Sequence, residues 1–161
     1  MSTFLKLLAV LGIAGALASN AAADELFKAH LSGDQEVPPV ATDSAGMAHF
    51  RLDKSETSIE IQLRVDKGVG ITQSHIHCAP AGENGPVVVF LAGLHAAGLD
   101  INGKWVSNAF LTDASIVNPA CGGTVAELAE SMRTGNTYVN VHSKDVPSGE
   151  IRGQIHPSGN K

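Results

Sequence analysis

Apolar and polar residues alternate in short runs along most of this chain. The alternation is clearest over Ala48 to Leu52, Ser58 to Val65, Val87 to Leu91, Thr137 to His142 and Glu150 to Ile155, and a period of two marks strands buried on one face. Between these runs lie pieces rich in turn formers: Pro38-Pro39, Asp66-Lys67-Gly68, Ala79 to Pro86 and Pro147-Ser148-Gly149. Such spacing predicts a mainly β protein, an antiparallel β-sandwich or Greek-key barrel. One short helix interrupts it. Thr124 followed three residues later by Glu127 reads as a capping box, Leu128 and Met132 share a helical face, and Gly135 supplies a stop. A helix is expected from Val125 to Thr134, and a weaker helical or loop segment over Asp113 to Ile116.

The same alternation assigns faces. In Tyr138-Val139-Asn140-Val141-His142 the valines point one way and Tyr138, Asn140 and His142 the other. From Glu150 to His156 the apolar residues again share a side, leaving Glu150, Arg152, Gln154 and His156 opposite. Ser143 to Gly149 reads as a hairpin loop, so the two polar faces lie side by side on one sheet. Ser74-His75-Ile76-His77 turns Ile76 inward and both imidazoles outward. On this reading His75, His77, His142 and Arg152 all stand on the outer face, away from the core.

The chain opens with the short basic leader Met1 to Lys6, an apolar stretch from Leu7 to Leu17, and small residues ending Ala21-Ala22-Ala23 before Asp24. These are the three parts of a secretory signal peptide over residues 1–23. The apolar run is shorter than the ~20 residues a membrane span needs, and no second one follows. Cleavage leaves a single domain, residues 24–161, bound for the periplasm or the cell exterior. The formal net charge of −5 becomes about −6 on loss of Lys6, with no basic run, so nucleic acid is not an expected partner. Only two cysteines occur, Cys78 and Cys121. In an oxidising compartment they are expected to be joined; the alternative makes Cys78 a thiolate metal ligand and strands Cys121. No serine-histidine-aspartate or carboxylate-pair pattern supports hydrolase chemistry.

Two histidines one residue apart on a strand project from the same face, close enough to share one ion. His142 from another strand completes a three-nitrogen metal site of the kind that suits copper, with zinc as the alternative, and leaves a position open for a small substrate. His156 is the best candidate for a fourth ligand, since period two puts it on the face of Arg152; His30, His49 and His95 have no spacing that singles them out. Each feature also has a bland reading. Exposed strand histidines often bind nothing, and Glu150 and Arg152 read equally well as a surface ion pair. Asp34 and Glu36 bound a turn, Asn84-Gly85-Pro86 is turn chemistry, and Trp105 and Tyr138 fill packing space.

Phe27 to Val40, reading FKAHLSGDQEVPPV, resembles the opening motif of the CHRD (chordin-type) domain family. So do Ser74 to His77 with Gly82 and Asn84 to Val88, and Tyr138 to His142 with Pro147 to Ile155. The motifs run in family order from Phe27 to Ile155. Membership implies a β-sandwich found in exported bacterial proteins and extracellular chordins, with no agreed activity. The histidine pattern has a looser likeness to the copper–zinc superoxide dismutases, in which a His-x-His strand pair, a later strand histidine, an internal disulfide and a late arginine occur in the order seen here for His75, His77, His142 and Arg152. That likeness implies a superoxide-dismutase-like barrel, copper held by the three imidazoles, and Arg152 as the catalytic residue that attracts and orients superoxide. The zinc-binding loop of those enzymes has no counterpart, so the arrangement implied is copper-only. Two other functions compete with a copper oxidoreductase. One is a non-enzymatic extracellular module that binds protein or matrix; the other is a periplasmic copper carrier, against which the count of only three methionines weighs. A homodimer is compatible with all three.

Overall fold

The computed structural model describes residues 24–159. The leader expected over residues 1–23 lies outside the described residues. Eight strands and one helix follow in the order β1 (Glu25–Ser32), β2 (Ala45–Leu52), β3 (Ile59–Cys78), β4 (Val87–Ala92), β5 (Leu99–Leu111), α1 (Val125–Arg133), β6 (Thr137–Ser143), β7 (Ile151–Gln154) and β8 (His156–Pro157). All strand pairs are antiparallel, and the sheet closes into a barrel-like arrangement. No helix among the described residues is long and apolar enough to cross a membrane.

Closure depends on the 20 residues of β3. One edge of this strand pairs first with β2, from Ile59↔Leu52 to Asp66↔Ala45, and then with β6, from Ile71↔Ser143 to Cys78↔Thr137. The opposite edge pairs first with β5 and then with β4. Because β2, β1, β7 and β6 are themselves paired in that order, the sheet returns to the strand it started from. Alternation supplies the core: Phe27, Ala29 and Leu31 of β1, Ala48, Phe50 and Leu52 of β2, and Ile59, Ile61, Leu63 and Val65 of β3 are all buried.

Two expectations are corrected by β3 and β5. Asp66-Lys67-Gly68 does not end a strand; it sits in a bulged stretch of a continuous one, with Lys67 at a φ of +54° and pairing slips between Val65 and Gly68. A further slip between Ile71 and Gln73 changes the parity of β3 again: core positions fall on odd numbers from Ile59 to Val65, the bulged stretch buries Gly68 and exposes Lys67 and Val69, Ile71 is buried, and the core then lies on even numbers at Ser74 and Ile76. An odd insertion turns every later side chain over, and this one places His75 and His77 on the side opposite the core. Strand β5 was not expected at all, because Asn102-Gly103-Lys104 breaks any apolar alternation there.

The helix forms as its sequence dictates. Thr124 accepts the Glu127 N–H through its hydroxyl while the Glu127 carboxylate accepts the Thr124 N–H. Val125, Leu128, Ala129 and Met132 are buried, and Arg133 at the last turn pairs with Glu25, Glu56 and Glu130. The weaker segment after β5 is a single 3-10 turn, Asp113–Ser115. Cys78 at the end of β3 is bonded to Cys121, which ends a second short turn just before α1, so the thiolate-ligand alternative is ruled out. The bond spans a sequence separation of 43, and loop-closure entropy for a loop of that length corresponds to ~4 kcal/mol. A Cys78→Ser, Cys121→Ser variant is therefore expected to lose several kcal/mol of unfolding free energy, about 2–5, in a guanidinium titration of metal-free protein; a loss below about 1 kcal/mol would contradict this assignment.

Candidate metal centre

The centre is built where the C-terminal half of β3 meets β6. Their register sets His77 opposite Tyr138 and His75 opposite Asn140, with Gln73 opposite His142, so all three imidazoles share the side turned away from Ile76, Val139 and Val141. The structure brings His75, His77 and His142 together with one ring nitrogen from each within 4.8 Å of the others. His75 Nδ1 lies 3.0 Å from His142 Nε2. His77 Nδ1 is 2.9 Å from the carbonyl of Gly85, and His142 Nδ1 is 3.0 Å from that of Pro147. A carbonyl can only accept, so both rings carry their proton on Nδ1 and leave Nε2 as a lone-pair donor. His77 Nε2 is buried without a hydrogen-bond partner among the described residues.

Polar residues on β6 and β7 do face away from the core, as alternation requires, but they are not exposed. His75 is 4% exposed, His142 6% and Arg152 1%. Two loops cover that side. The loop after β1 lays Glu36 against Asn140, whose Nδ2 donates to Glu36 Oε1 at 2.5 Å. The loop after β3 turns its backbone inward, so that Arg152 donates to the Pro80 carbonyl and the Asn84 side chain, and Gln154 donates to the Ala79 carbonyl. The loops are tied to each other by Asn84 Nδ2 donating to the Val37 carbonyl at 2.7 Å. Period two reads which side a residue takes, but it cannot see what lies on top.

Arg152 and Glu150 form no ion pair among the described residues, contrary to the surface-pair reading. Glu150 turns to the hydroxyls of Thr42 and Ser44. Burial would raise its pKa, but hydroxyls including those of Ser143, Ser44 and Thr42 outweigh it and hold the carboxyl below its ordinary value. The Arg152 guanidinium lies 3.4 Å from the centre of the Tyr138 ring, and His77 stacks on that ring at 4.8 Å and 12°. Since Tyr138 sits between β3 and β7, it is layered between imidazole and guanidinium. Tyr138 is thus part of the site and not merely packing.

His156 is not brought to the cluster. Strand β7 ends at Gln154, and the chain then changes partner so that His156 pairs with Lys28 of β1 and is exposed; alternation does not carry across that switch. His30, His49 and His95 are exposed as well. Several contributors went unread in the sequence. Glu36 and Asn84 bear on the site only through loop placement. Gly85 is needed because a Cβ there would lie 1.9 Å from the Cys78 carbonyl, which is what lets its own carbonyl reach His77. Phe90, opposite His75 in β4, meets that ring edge-on at 4.7 Å.

The sequence profile of the CHRD domain matches residues 27–155. The chain belongs to the CHRD-domain family. A comparison with curated proteins finds no match. In this CHRD domain, FKAHLSGDQEVPPV forms β1 and the loop bearing Glu36, SHIH forms the end of β3, and YVNVH forms β6, so the family's motifs are the segments that meet at the histidine cluster.

All three rings are held neutral. Burial, then the His142 ring, then the His77 ring, push His75 down to about 4. Burial lowers His77, opposed by its bond to Gly85, and lowers His142, opposed by its bond to Pro147. Between about pH 6.5 and about 4 the unfolded chain binds a proton at position 75 that the folded chain refuses, so stability falls as pH falls through this window. Metal-free His75→Gln protein is expected to show a shallower loss of unfolding free energy from pH 6.5 to 4 than wild type; equal slopes would contradict the assignment of this shift to His75.

Proposed function

We propose that this CHRD domain is an exported copper-binding protein that holds the ion through His75, His77 and His142, and that its reaction is the dismutation of superoxide. The observation that carries the reading is the set of three neutral imidazoles with converging nitrogens, His75 and His142 buried and His77 half-buried, two of them oriented by backbone carbonyls bound to the opposite ring nitrogen. Such outer partners hold a ligating ring in the correct tautomer and orientation. An all-imidazole set suits copper, zinc, nickel and iron, and among divalent ions copper binds most tightly by intrinsic order. Zinc fits the same nitrogens but has no redox chemistry. The three-part leader pattern and the Cys78–Cys121 disulfide support export, since such bonds persist in oxidising compartments.

Copper held by His75, His77 and His142 would supply a one-electron couple for the reaction, in which one superoxide gives dioxygen and a second, with two protons, gives hydrogen peroxide. The residues of the chain do the rest. His77, Tyr138, Asn140 and Glu36 line a cleft of about 270 Å³, below the usual range for organic ligands of about 300–1,000 Å³ and roomy for a diatomic anion with its waters. Arg152 contributes a positive charge one aromatic ring away from His77. Being buried and turned toward a second cleft, it acts on an approaching anion through its field and not by direct contact.

A holding role is the second reading, favoured by how little of His75 and His142 is open to solvent. Copper analysis and superoxide consumption in the mature domain and in a His75→Ala, His142→Ala variant separate the two. We expect one copper per chain and catalytic superoxide loss in wild type, and neither in the variant. Copper without activity in wild type points to a carrier, and no bound copper in either leaves a protein- or matrix-binding module.

Gly85→Ala tests the orientation argument. Displacing the Gly85 carbonyl from His77 is expected to weaken copper affinity by about 10–100-fold, measured by chelator competition, and unchanged affinity would contradict it.

A further inference from the structure

Glu36 occupies an unusual place in the loop that covers the centre. It lines the 270 Å³ cleft together with His77, Tyr138 and Asn140, and it also lines a second cleft, of about 230 Å³, together with Asp34, Gly82, Arg152 and Gln154. With Val37 it forms the wall between the two. Asn140 donates to its carboxyl through Nδ2 and keeps Oδ1 buried and unpartnered among the described residues, so an acceptor waits beside the carboxyl on the His77 side. Gly149 makes the room: a Cβ there would lie 2.6 Å from Asn140 Nδ2 and 2.8 Å from Glu36 Oε1. Tyr138, which accepts the Gly85 N–H on its hydroxyl oxygen, keeps its own O–H free to donate into the same cleft.

We propose that Glu36 is the proton donor of the histidine centre, taking protons from solvent through the Arg152 cleft and releasing them to the reactant in the His77 cleft. The inference rests on the dismutation reading. Turning superoxide into hydrogen peroxide consumes one electron, supplied through the centre by the oxidation of another superoxide, and two protons. In the delivery step the Glu36 O–H bond breaks and the proton forms an O–H bond on the reduced oxygen species; the carboxylate left behind is reprotonated from solvent and passes on the second proton in the same way, and solvent restores it again before the next cycle.

A carboxyl serves this purpose only if it is protonated part of the time near neutral pH. Burial pushes Glu36 up to about 7, against the lowering effects of the Asn140 hydrogen bond and the Arg152 charge. The titratable and charged groups that share a cleft with it are Asp34 on its own loop, His77 on β3, Tyr138 on β6 and Arg152 on β7; Glu150 is turned away to Thr42 and Ser44. Of these Arg152 is the one positive charge at neutral pH, and it stabilises the carboxylate formed when the proton leaves.

Glu36→Gln keeps the acceptor for Asn140 and removes the proton. Infrared or carbon-13 titration of the metal-free protein is expected to show a carboxyl titrating near pH 7 in wild type and absent from the variant; a Glu36 that titrates in the ordinary glutamate range overturns the proposal whatever the activity. In copper-loaded protein the variant is expected to retain wild-type copper content, lose at least about tenfold in dismutation rate at pH 7, and lose the fall in rate that wild type shows as pH rises through 7. A variant with the wild-type rate and pH profile removes Glu36 from the mechanism while the dismutation reading stands. Copper-loaded wild type without dismutation overturns both.

Discussion

Placing imidazoles, a guanidinium and a carboxyl out of contact with water costs free energy unless each finds a partner. The polar side of β6 and β7 does so by borrowing backbone from loops. Carbonyls of Ala79, Pro80, Gly85 and Pro147 accept from Gln154, Arg152, His77 and His142, and the Asn84 side chain joins one loop to the other. Among the described residues five buried side-chain atoms lack a partner: Nε2 of His75, Nε2 of His77 and Oδ1 of Asn140 lie on this side of β3 and β6, and the hydroxyls of Ser74 and Thr137 on the core side. Three unmet hydrogen-bonding atoms on one covered face, two of them imidazole nitrogens, are the physical argument for a ligand.

That arrangement depends on β3. Its first half carries the core on odd positions and closes the barrel with β2, while its second half, after the slip at Ile71, carries two histidines on the far side and pairs with β6. Fold and site therefore share one strand. A change of a single residue in the bulged stretch would exchange the histidines with Ile76 and bury imidazoles in the hydrocarbon core.

Much of this was legible from the residues. The helix followed from Thr124, Glu127 and Gly135, and the side taken by His142 followed from Val139 and Val141. The gathering of His75, His77 and His142 followed from strand spacing and the family motifs. The illegible part has a common physical origin. Alternation is a property of a strand and its own two faces, so it gives no account of chain that comes back over a face from far away in sequence. Glu36, Asn84 and Gly85 act through such returns, and their neighbours made them look like turn residues. Strand β5 was missed for a different reason, because Gly103 and its polar neighbours hide a segment held by pairing and not by pattern. His156 failed because one more step of period two was taken after the strand had ended.

The position of the covalent bridge has an effect of its own. Cys78 is the next residue after His77, and Cys121 stands at the threshold of α1, so oxidation staples the end of the histidine strand to the helical segment one bond away from a ring donor. Where thiols are kept reduced, that strand end keeps its pairing to β4 and β6 and the packing of Ile76 but has no covalent tie to the helical segment. The bridge that ties the scaffold to the helical segment is thus anchored one residue from the nitrogen cluster.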